Sequence, residues 1–573
     1  MGDVTEFIID GTSGLAPGGV EGQCIVAGCC SRGQVGKGYL LGKRSNLTSL
    51  LGVGPLVDSL RDVFAVAGQD AIVIAVPVEG QPGGYISECR HLGYGPAAVS
   101  SGAAVAAAEV LVVVTVGGAN GSSSVKISKD GGKTFPDTAP VPADGEVVIE
   151  GTGARITFSA TDEKPLLEDE EYSFQVVTSV SRHKQSGEGP AVTAVGEPKA
   201  GGQLQMLITK GGPLNTGLYQ ISIDGGDNFG PRRTLPIDGQ VNIPDLGLTL
   251  NLETGVYVAG AIYSWEVLPP EPTIAAVMEA LERPLELYDV EFVYVAGPSD
   301  SVSWAAASAL CQEQWNKHRP TYMKFEARQP YADEDLSDWT AALISERADF
   351  ASMYVQVIAA FGETSDSTGL SRVRSWGGLN AGKTLFNPVQ RAAGRVRDGS
   401  ISQVTLPDGW NESIQGLLED AGYVTCKKYA GLYGVYWGDS KTMADVTSEF
   451  QYEEVLRVTF KALRKARIAA LKSLYDEAGD PLLPEAAVGL KFLEANLEAA
   501  LDTMTKAVPP EMAAYVVEIP LGQDIVNNGL AVELTFIGIP IIRSIKLYGK
   551  YVYAGGNFDP RLEEQHESNY ISS

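Results

Sequence analysis

The sequence predicts an α+β multidomain protein, with an α/β core interrupted by two repeated β-sandwich-like insertion domains and flanked by extended N- and C-terminal arms. Three observations carry that prediction. The chain has 573 residues, more than one hydrophobic core organises, so about three to five units are expected. Two short stretches, SKDGGKTF from Ser128 and SIDGGDNF from Ser222, are near copies set inside a longer repeat. On either side of that repeat, apolar and amphipathic runs follow one another in the order strand, loop, helix, strand.

Residues 1–20 read as the N-terminal arm. MGDVTEFIIDGTSG carries acids and no long apolar run, so it is not expected to be a secretory leader. Within it, Phe7, Ile8 and Ile9 form a short apolar strand. Residues 21–112 are the first part of the core. GQCIVAGCCSRG reads as a strand and loop, and LTSLLGVGPLVDSLRDVFAVAGQDAIVIAVPV as an amphipathic helix followed by a buried strand. The most apolar run, Ala103 to Val116, is too short to cross a bilayer and contains Glu109. It reads as a helix end or linker leading into a buried strand.

The repeats are placed at 113–195 and 200–270. After the two near copies, ADGEVVI answers IDGQVNI, GARITF answers GLTLNL, and EYSFQVV answers IYSWEVL. Branched and aromatic residues alternate with polar ones between D-G and G-G pairs, the pattern of short antiparallel strands joined by hairpins. GEGPAVTAVGEPKAGG, between the copies, reads as a connector. The S-x-D-x-G-x-x-F spelling resembles the Asp-box of sialidases and related glycan-handling propellers. That resemblance implies an alternative function, a glycan-binding or carbohydrate-active protein. The physical expectation is simpler: Asp130 and Asp224 bond local backbone amides while Gly132 and Gly226 accept positive φ, making all four structural turn residues.

Residues 271–550 are the second part of the core. EFVYVAGPSD reads as a strand and loop, Ser303 to His318 as a helix, and RADFASMYVQVIAA as a buried strand. GGLNAGKT, Gly377 to Thr384, has the spelling of a phosphate-cradling loop but lacks the preceding buried strand, and Pro388 interrupts the start of any following helix. It is expected to be a glycine-rich surface loop. Long helices follow at Glu453 to Tyr475 and Glu485 to Lys506. In the first, Arg457, Lys461, Arg464, Lys465 and Lys472 gather within about 100° of arc. The chain then returns to strands in AAYVVEIPLG, LAVELTFIGIPIIRSIKLY and KYVYAGG, and residues 551–573 form the C-terminal arm.

Composition excludes several functions. With 71 acidic against 44 basic residues and a formal net charge of −27, a direct nucleic-acid partner is not expected, nor is a membrane. The six cysteines form no C-x-x-C pair, which argues against a zinc site or disulfide frame and for a reduced, intracellular setting. The four histidines, His91, His183, His318 and His566, are scattered with no nucleophile elbow or H-E-x-x-H around them. No enzyme, catalytic residue, cofactor or metal is expected.

With the repeats set aside, the order of elements resembles a contractile tail sheath protein of bacteriophages and related contractile injection systems. The carriers are CIVAGCCSRGQVGKGYLLGKRSNLTSLLGVGPLVDSLRDVFAVAGQDAIVIAVPV and YAGLYGVYWGDSKTMADVTSEFQYEEVLRVTFKALRKARIAAL. The first is similar to that family's opening G-x-x-x-x-G strand and loop, and the second to its W-G-x-x-T strand and long helix, with Trp437, Gly438 and Thr442 matching. WGDSKT departs in lacking the arginine that commonly precedes the threonine. The resemblance covers about 21–112 and 280–550 and implies an α/β sheath core with variable outer insertions.

The function it implies is that of a structural subunit which polymerises helically around a tail tube and contracts to drive the tube through a target cell envelope. The implied partners are further copies of the chain, the tail tube protein, and baseplate and tail terminator proteins. The implied location is the virion tail sheath, assembled in the bacterial host cytoplasm. Neighbouring subunits would exchange terminal strands through Phe7, Ile8 and Ile9 and through Tyr551, Val552 and Tyr553. Arg457, Lys461, Arg464 and Lys465 would face an acidic tube surface.

Overall fold

The computed structural model describes residues 20–554 except 70, 182–183, 333, 366–368, 481–486 and 521. Phe7, Ile8, Ile9, His183 and His566 lie outside the described residues. The fold is mixed α+β. Its central sheet contains β1 (Gln23–Cys29), β2 (Tyr39–Leu41), β3 (Ile72–Val78), β4 (Phe292–Ser299), β5 (Tyr322–Ala327) and β6 (Val355–Ile358). They lie in the order β2-β3-β1-β4-β5-β6. All neighbours run parallel except β2 and β3.

A parallel sheet is covered on both faces, so its strands read as near-continuous apolar runs. IVIAVPV in β3 is buried throughout. The covering helices are α1 (Pro55–Val66), α2 (Ile274–Leu287), α3 (Ser301–Asn316) and α4 (Leu336–Arg347). Asp300 starts α3 by accepting the Ser303 amide at 2.8 Å, which satisfies an otherwise orphaned helix donor.

Helix α5 (Gly377–Phe386) corrects the expected surface loop: every residue from Gly377 to Thr384 is buried. Its glycines serve close packing. A Cβ on Gly378 would lie 2.8 Å from the Ser59 carbonyl oxygen, and one on Gly382 2.6 Å from that of Val63, both on α1. A Cβ on Gly377 would meet the Glu326 carboxylate at 2.5 Å, so an acid occupies the helix end where a phosphate would be cradled. Pro388 follows the helix rather than interrupting it.

Between β3 and α2 the chain makes a long excursion. Gly80–Gln81, where it leaves the core, pairs antiparallel with Glu271–Pro272, where it returns. The excursion contains two similarly connected units. In the first, Ala108–Val116, Ser124–Ser128, Asp137–Pro140 and Glu171–Val177 share a sheet with Tyr85–Ile86 and Arg90–Leu92. Ala98–Gly102, Glu146–Ile149 and Ala154–Phe158 form a second sheet. In the second unit, Gly202–Lys210, Leu218–Ser222, Arg233–Thr234, Ile262–Val267 and Lys184–Ser186 form one sheet. Val192–Gly196, Gln240–Ile243 and Leu248–Leu252 form the other.

Each unit closes over its own apolar core. Val112, Ile127, Ile156 and Tyr172 are buried in the first, and Leu204, Met206, Leu250 and Tyr263 in the second. Strand pairing moves the expected boundaries. Residues 85–112, expected as core, supply strands to the first unit. The stretch expected as a connector contains Val192–Gly196, which pairs with Leu248–Leu252. The two units also share a tether across their sheets: Tyr172 donates to the Pro96 carbonyl at 2.8 Å and Tyr263 to that of Pro190 at 2.9 Å.

Past the core sheet lie α6 (Glu453–Leu471) and α7 (Val488–Thr505), followed by a hairpin of β7 (Ala514–Glu518) and β8 (Glu533–Ile537). Helix α6 is covered on two sides. Leu456 and Phe460 join the main core. Val458, Ala462, Ala466 and Ala469 pack with Leu493, Leu497, Leu501 and Met504 of α7.

Candidate assembly surface

The two repeated turns have nearly identical polar chemistry. Ser128 donates to Asp130 Oδ1 at 2.7 Å and accepts from the Gly132 amide at 2.8 Å. Thr134 bonds both carboxylate oxygens of Asp130 through its amide (2.9 Å) and hydroxyl (2.7 Å). In the second copy Ser222, Asp224, Gly226 and Asn228 repeat the arrangement, with Ser222 donating to Asp224 at 2.6 Å and Asn228 to its two oxygens at 3.0 and 2.7 Å. Gly131, Gly132, Gly225 and Gly226 all have positive φ, which glycine adopts without strain. The bonds from Thr134 and Ser128 hold the Asp130 carboxyl well below its ordinary range. For Asp224, burial pushes the other way but the bonds from Ser222 and Asn228 outweigh it. Both carboxylates are committed to their own turns and are ill suited to donate a proton to a substrate.

The basic residues of α6 do not form the open face expected of them. Arg457 is 3 % exposed. Its Nε lies 2.5 Å from Glu291 Oε1, and Nη2 donates to the Asn387 carbonyl at 3.3 Å. Arg464 is 9 % exposed, paired with Glu21 at 3.3 Å and bonded to the Pro320 carbonyl oxygen. Lys461, half-buried, meets Glu511 at 2.7 Å, and Lys465 is half-buried. The helix is sandwiched between the main core and α7, so the arc that looked free in a helical projection is covered by other elements. A surface that must meet an external tube cannot be built from Arg457 and Arg464.

The C-terminal segment shows the opposite arrangement. The expected strand LAVELTFIGIPIIRSIKLY stops at Ile537, and residues 538–553 form neither helix nor strand. Ile542, Ile545, Tyr551 and Tyr553 are exposed, and Leu547 and Tyr548 are 90 % and 85 % exposed. Val552 is exposed as well. Residues 538–550, expected as part of the core, thus share the irregular, largely exposed character of residues 551–553.

One residue ties this segment to the body. Arg543 Nε lies 2.6 Å from Asp439 Oδ2, its Nη2 bonds the Glu454 carboxylate, and its guanidinium sits 3.5 Å from the centroid of the Tyr452 ring. Burial pushes the Glu454 carboxyl up to about 7, against the opposing pull of Arg543. Sequence reasoning missed Arg543, although a lone arginine inside the apolar run IPIIRSIKLY was a signal that the run is pinned at one point.

Several solved structures are similar to this chain. The sheath tail protein of Desulfitobacterium hafniense is 9% identical over 94% of this chain and 100% of that chain, with a TM-score of 0.41. The sheath tail protein of Listeria innocua is 9% identical over 92% of this chain and 97% of that one, with a TM-score of 0.40. The helical sheath of the anti-feeding prophage in its contracted state is 15% identical over 51% and 78%, with a TM-score of 0.35. No curated protein matches the sequence. The model of the DUF2586 N-terminal domain matches residues 1–441, and that of the DUF2586 C-terminal domain matches residues 449–556. The chain belongs to the DUF2586 family.

Proposed function

We propose that this chain is the structural subunit of a contractile tail sheath, with no catalytic centre. The observation that carries the reading is the C-terminal segment from 538 to 554, whose apolar side chains stand in water beyond the last paired strand. An extended segment of that kind offers unpaired backbone groups and alternate apolar side chains, the requirements for adding a strand to a neighbour's sheet. The resemblance seen in the sequence supplies the assembly that such an arm would serve. Because donor arm and acceptor edge are different surfaces, the contact is heterologous, and heterologous contacts that do not close generate helices.

In this reading the α/β core and the α6–α7 pair form the polymerising body. The two β-sandwich-like insertions lie on the exterior of the tube. The N-terminal arm, with Phe7, Ile8 and Ile9, pairs with a neighbour's C-terminal arm. The polymer forms on a tail tube protein between baseplate and terminator proteins, assembles in the host cytoplasm, and drives the tube outward by switching between two packings of the same subunits. The extended packing is held kinetically and relaxes without nucleotide hydrolysis.

Electron microscopy of the purified full-length chain tests the proposal. Striated hollow tubes, alone or templated by tail tube protein, are the expected result. A monodisperse monomer under both conditions would overturn it.

A further inference from the structure

Lys324 lies within β5, and at 0 % exposure its side chain is wholly enclosed. Its Nζ donates to Asn380 Oδ1 at 2.8 Å and to Thr384 Oγ1 at 2.7 Å, one turn apart on α5, and lies 2.7 Å from Glu453 Oε1 at the start of α6. Thr384 Oγ1 and Tyr322 OH also donate to that carboxylate oxygen, at 2.9 and 2.7 Å. The ring centroids of Phe292 and Tyr322 stand 5.2 and 6.0 Å from Nζ.

Asn380 is equally buried, and its Nδ2 has no hydrogen-bond partner among the described residues. Buried polar atoms are seldom left unpaired. An ion pair between Lys324 and Glu453 needs no carboxamide beside it. The trio instead places an amine, an amide carbonyl and a proton-accepting carboxylate in contact, away from water, with the amide nitrogen held by nothing.

We propose that Lys324 and Asn380 condense to an isopeptide bond, with Glu453 as the proton acceptor, covalently tying strand β5 to helix α5. Across their 2.7 Å contact the Lys324 ammonium gives one proton to Glu453. The neutral Nζ attacks Cγ of Asn380, and the Nζ–Cγ bond forms. The tetrahedral intermediate collapses with cleavage of Cγ–Nδ2. Nζ sheds a second proton, Nδ2 takes up one proton and leaves as ammonia, and the proton on Glu453 departs with it as ammonium. No oxidant, reductant or co-reactant is required. Burial pushes the Lys324 amine down, which favours the nucleophilic form, while against burial Lys324 and Arg457 hold the Glu453 carboxyl down to about 2, so the neutral pair from which attack proceeds is a minor state. Thr384 bonds both partners of the proton transfer and fixes their alignment.

Such a bond fits the place it occupies. β5 is a central strand of the core sheet, and α5 packs through its glycines on α1, so the link would join the sheet to its covering helix layer at a site that shearing would otherwise separate.

Mass spectrometry of the folded full-length chain, denatured only for measurement, tests the proposal. The expected mass is about 17 Da below that of the sequence, one ammonia. Tryptic digestion should yield a branched fragment joining residues 318–328 to residues 375–383, because Lys324 is blocked to cleavage. Lys324→Met, Asn380→Ala and Glu453→Gln should each return the full mass, the last with both reacting groups still present. A wild-type chain at its full sequence mass would overturn the proposal. So would a loss of 17 Da without the branched fragment, which would place a cyclised asparagine there instead.

Discussion

Helix α6 and the segment after β8 invert the usual distribution of side chains in opposite senses. In α6, Arg457 and Arg464 are buried; after Ile537, leucine, isoleucine and tyrosine are exposed. The two inversions have different resolutions. Each buried arginine has its acid within the same chain, Glu291 for Arg457 and Glu21 for Arg464. The exposed apolar groups of the arm have no such cover within the described residues, where Arg543 holds the segment to the body. A cost that is offset inside the subunit belongs to folding, whereas one left open points to another molecule. The comparison therefore separates residues committed to the chain's own fold from residues left open for the joining role proposed above.

Removing residues 538–573 gives the sharpest break between the two regions. Assembly seen by electron microscopy should be lost altogether, while the melting transition of the remaining chain falls only by the loss of the Arg543 contacts to Asp439, Glu454 and Tyr452, because most of the other removed described residues are exposed. Arg457→Met acts on the other side of the comparison. It leaves Glu291 charged and buried, and breaking a buried pair from one side costs about 3–5 kcal/mol, which chemical denaturation should register. Lys461→Ala, by contrast, removes a half-buried pair with Glu511 and should cost about 1 kcal/mol or less.

Arm docking should also depend on pH. Arg543 favours ionised Glu454, so docking lowers the carboxyl's pKa relative to the undocked state. With Glu454 buried in both states, linkage makes docking strongest above the undocked carboxyl's higher pKa, and the Arg543 contribution is lost as pH falls to about 7. Amide protection factors around residues 539–550, corrected for the base-catalysed intrinsic rate, should be lower at pH 5.5 than at pH 8, and Arg543→Ala should abolish most of that difference. Effects at the repeated turns are modest. Asp224 is buried and Asp130 is more open. Asp224→Ala should cost about 1–2 kcal/mol, and Asp130→Ala less, in thermal denaturation of the full chain.

The sequence made local periodicity legible and long-range partners illegible. Strands β1, β3, β4 and β6, helices α1, α3, α6 and α7, and the paired turns could be read from runs of neighbouring residues, whereas β2 and β5 are not read as strands there. The fate of Arg457 could not, since its partner Glu291 is 166 positions away. A helical projection shows which residues share a face but not what covers that face. GGLNAGKT misled for a related reason: glycines that admit a phosphate and glycines that admit a neighbouring helix are spelled alike, and only the position of α1 distinguishes them.

The repeat boundaries were more legible than they looked. GPAAV at Gly95 and GPAVT at Gly189 stand 94 residues apart (189 − 95), the same interval as Ser128 and Ser222 (222 − 128). That match carries each unit back to the proline whose carbonyl receives the buried tyrosine. The stretch between the copies has a glycine-rich spelling and a strand's alternation at once, and its pairing with Leu248–Leu252 decides which prevails.

The pairing of Gly80–Gln81 with Glu271–Pro272 has a further consequence. Strands in a ladder lie about 4.8 Å apart, so the chain leaves the core and returns to it at two neighbouring points. A tight turn could bridge those points with little demand on the sheet behind them. The core is thus a chassis with one socket, and a replacement plugged into it would also have to meet Tyr331 and Arg372, which now rest on Tyr85 and the Gly201 carbonyl.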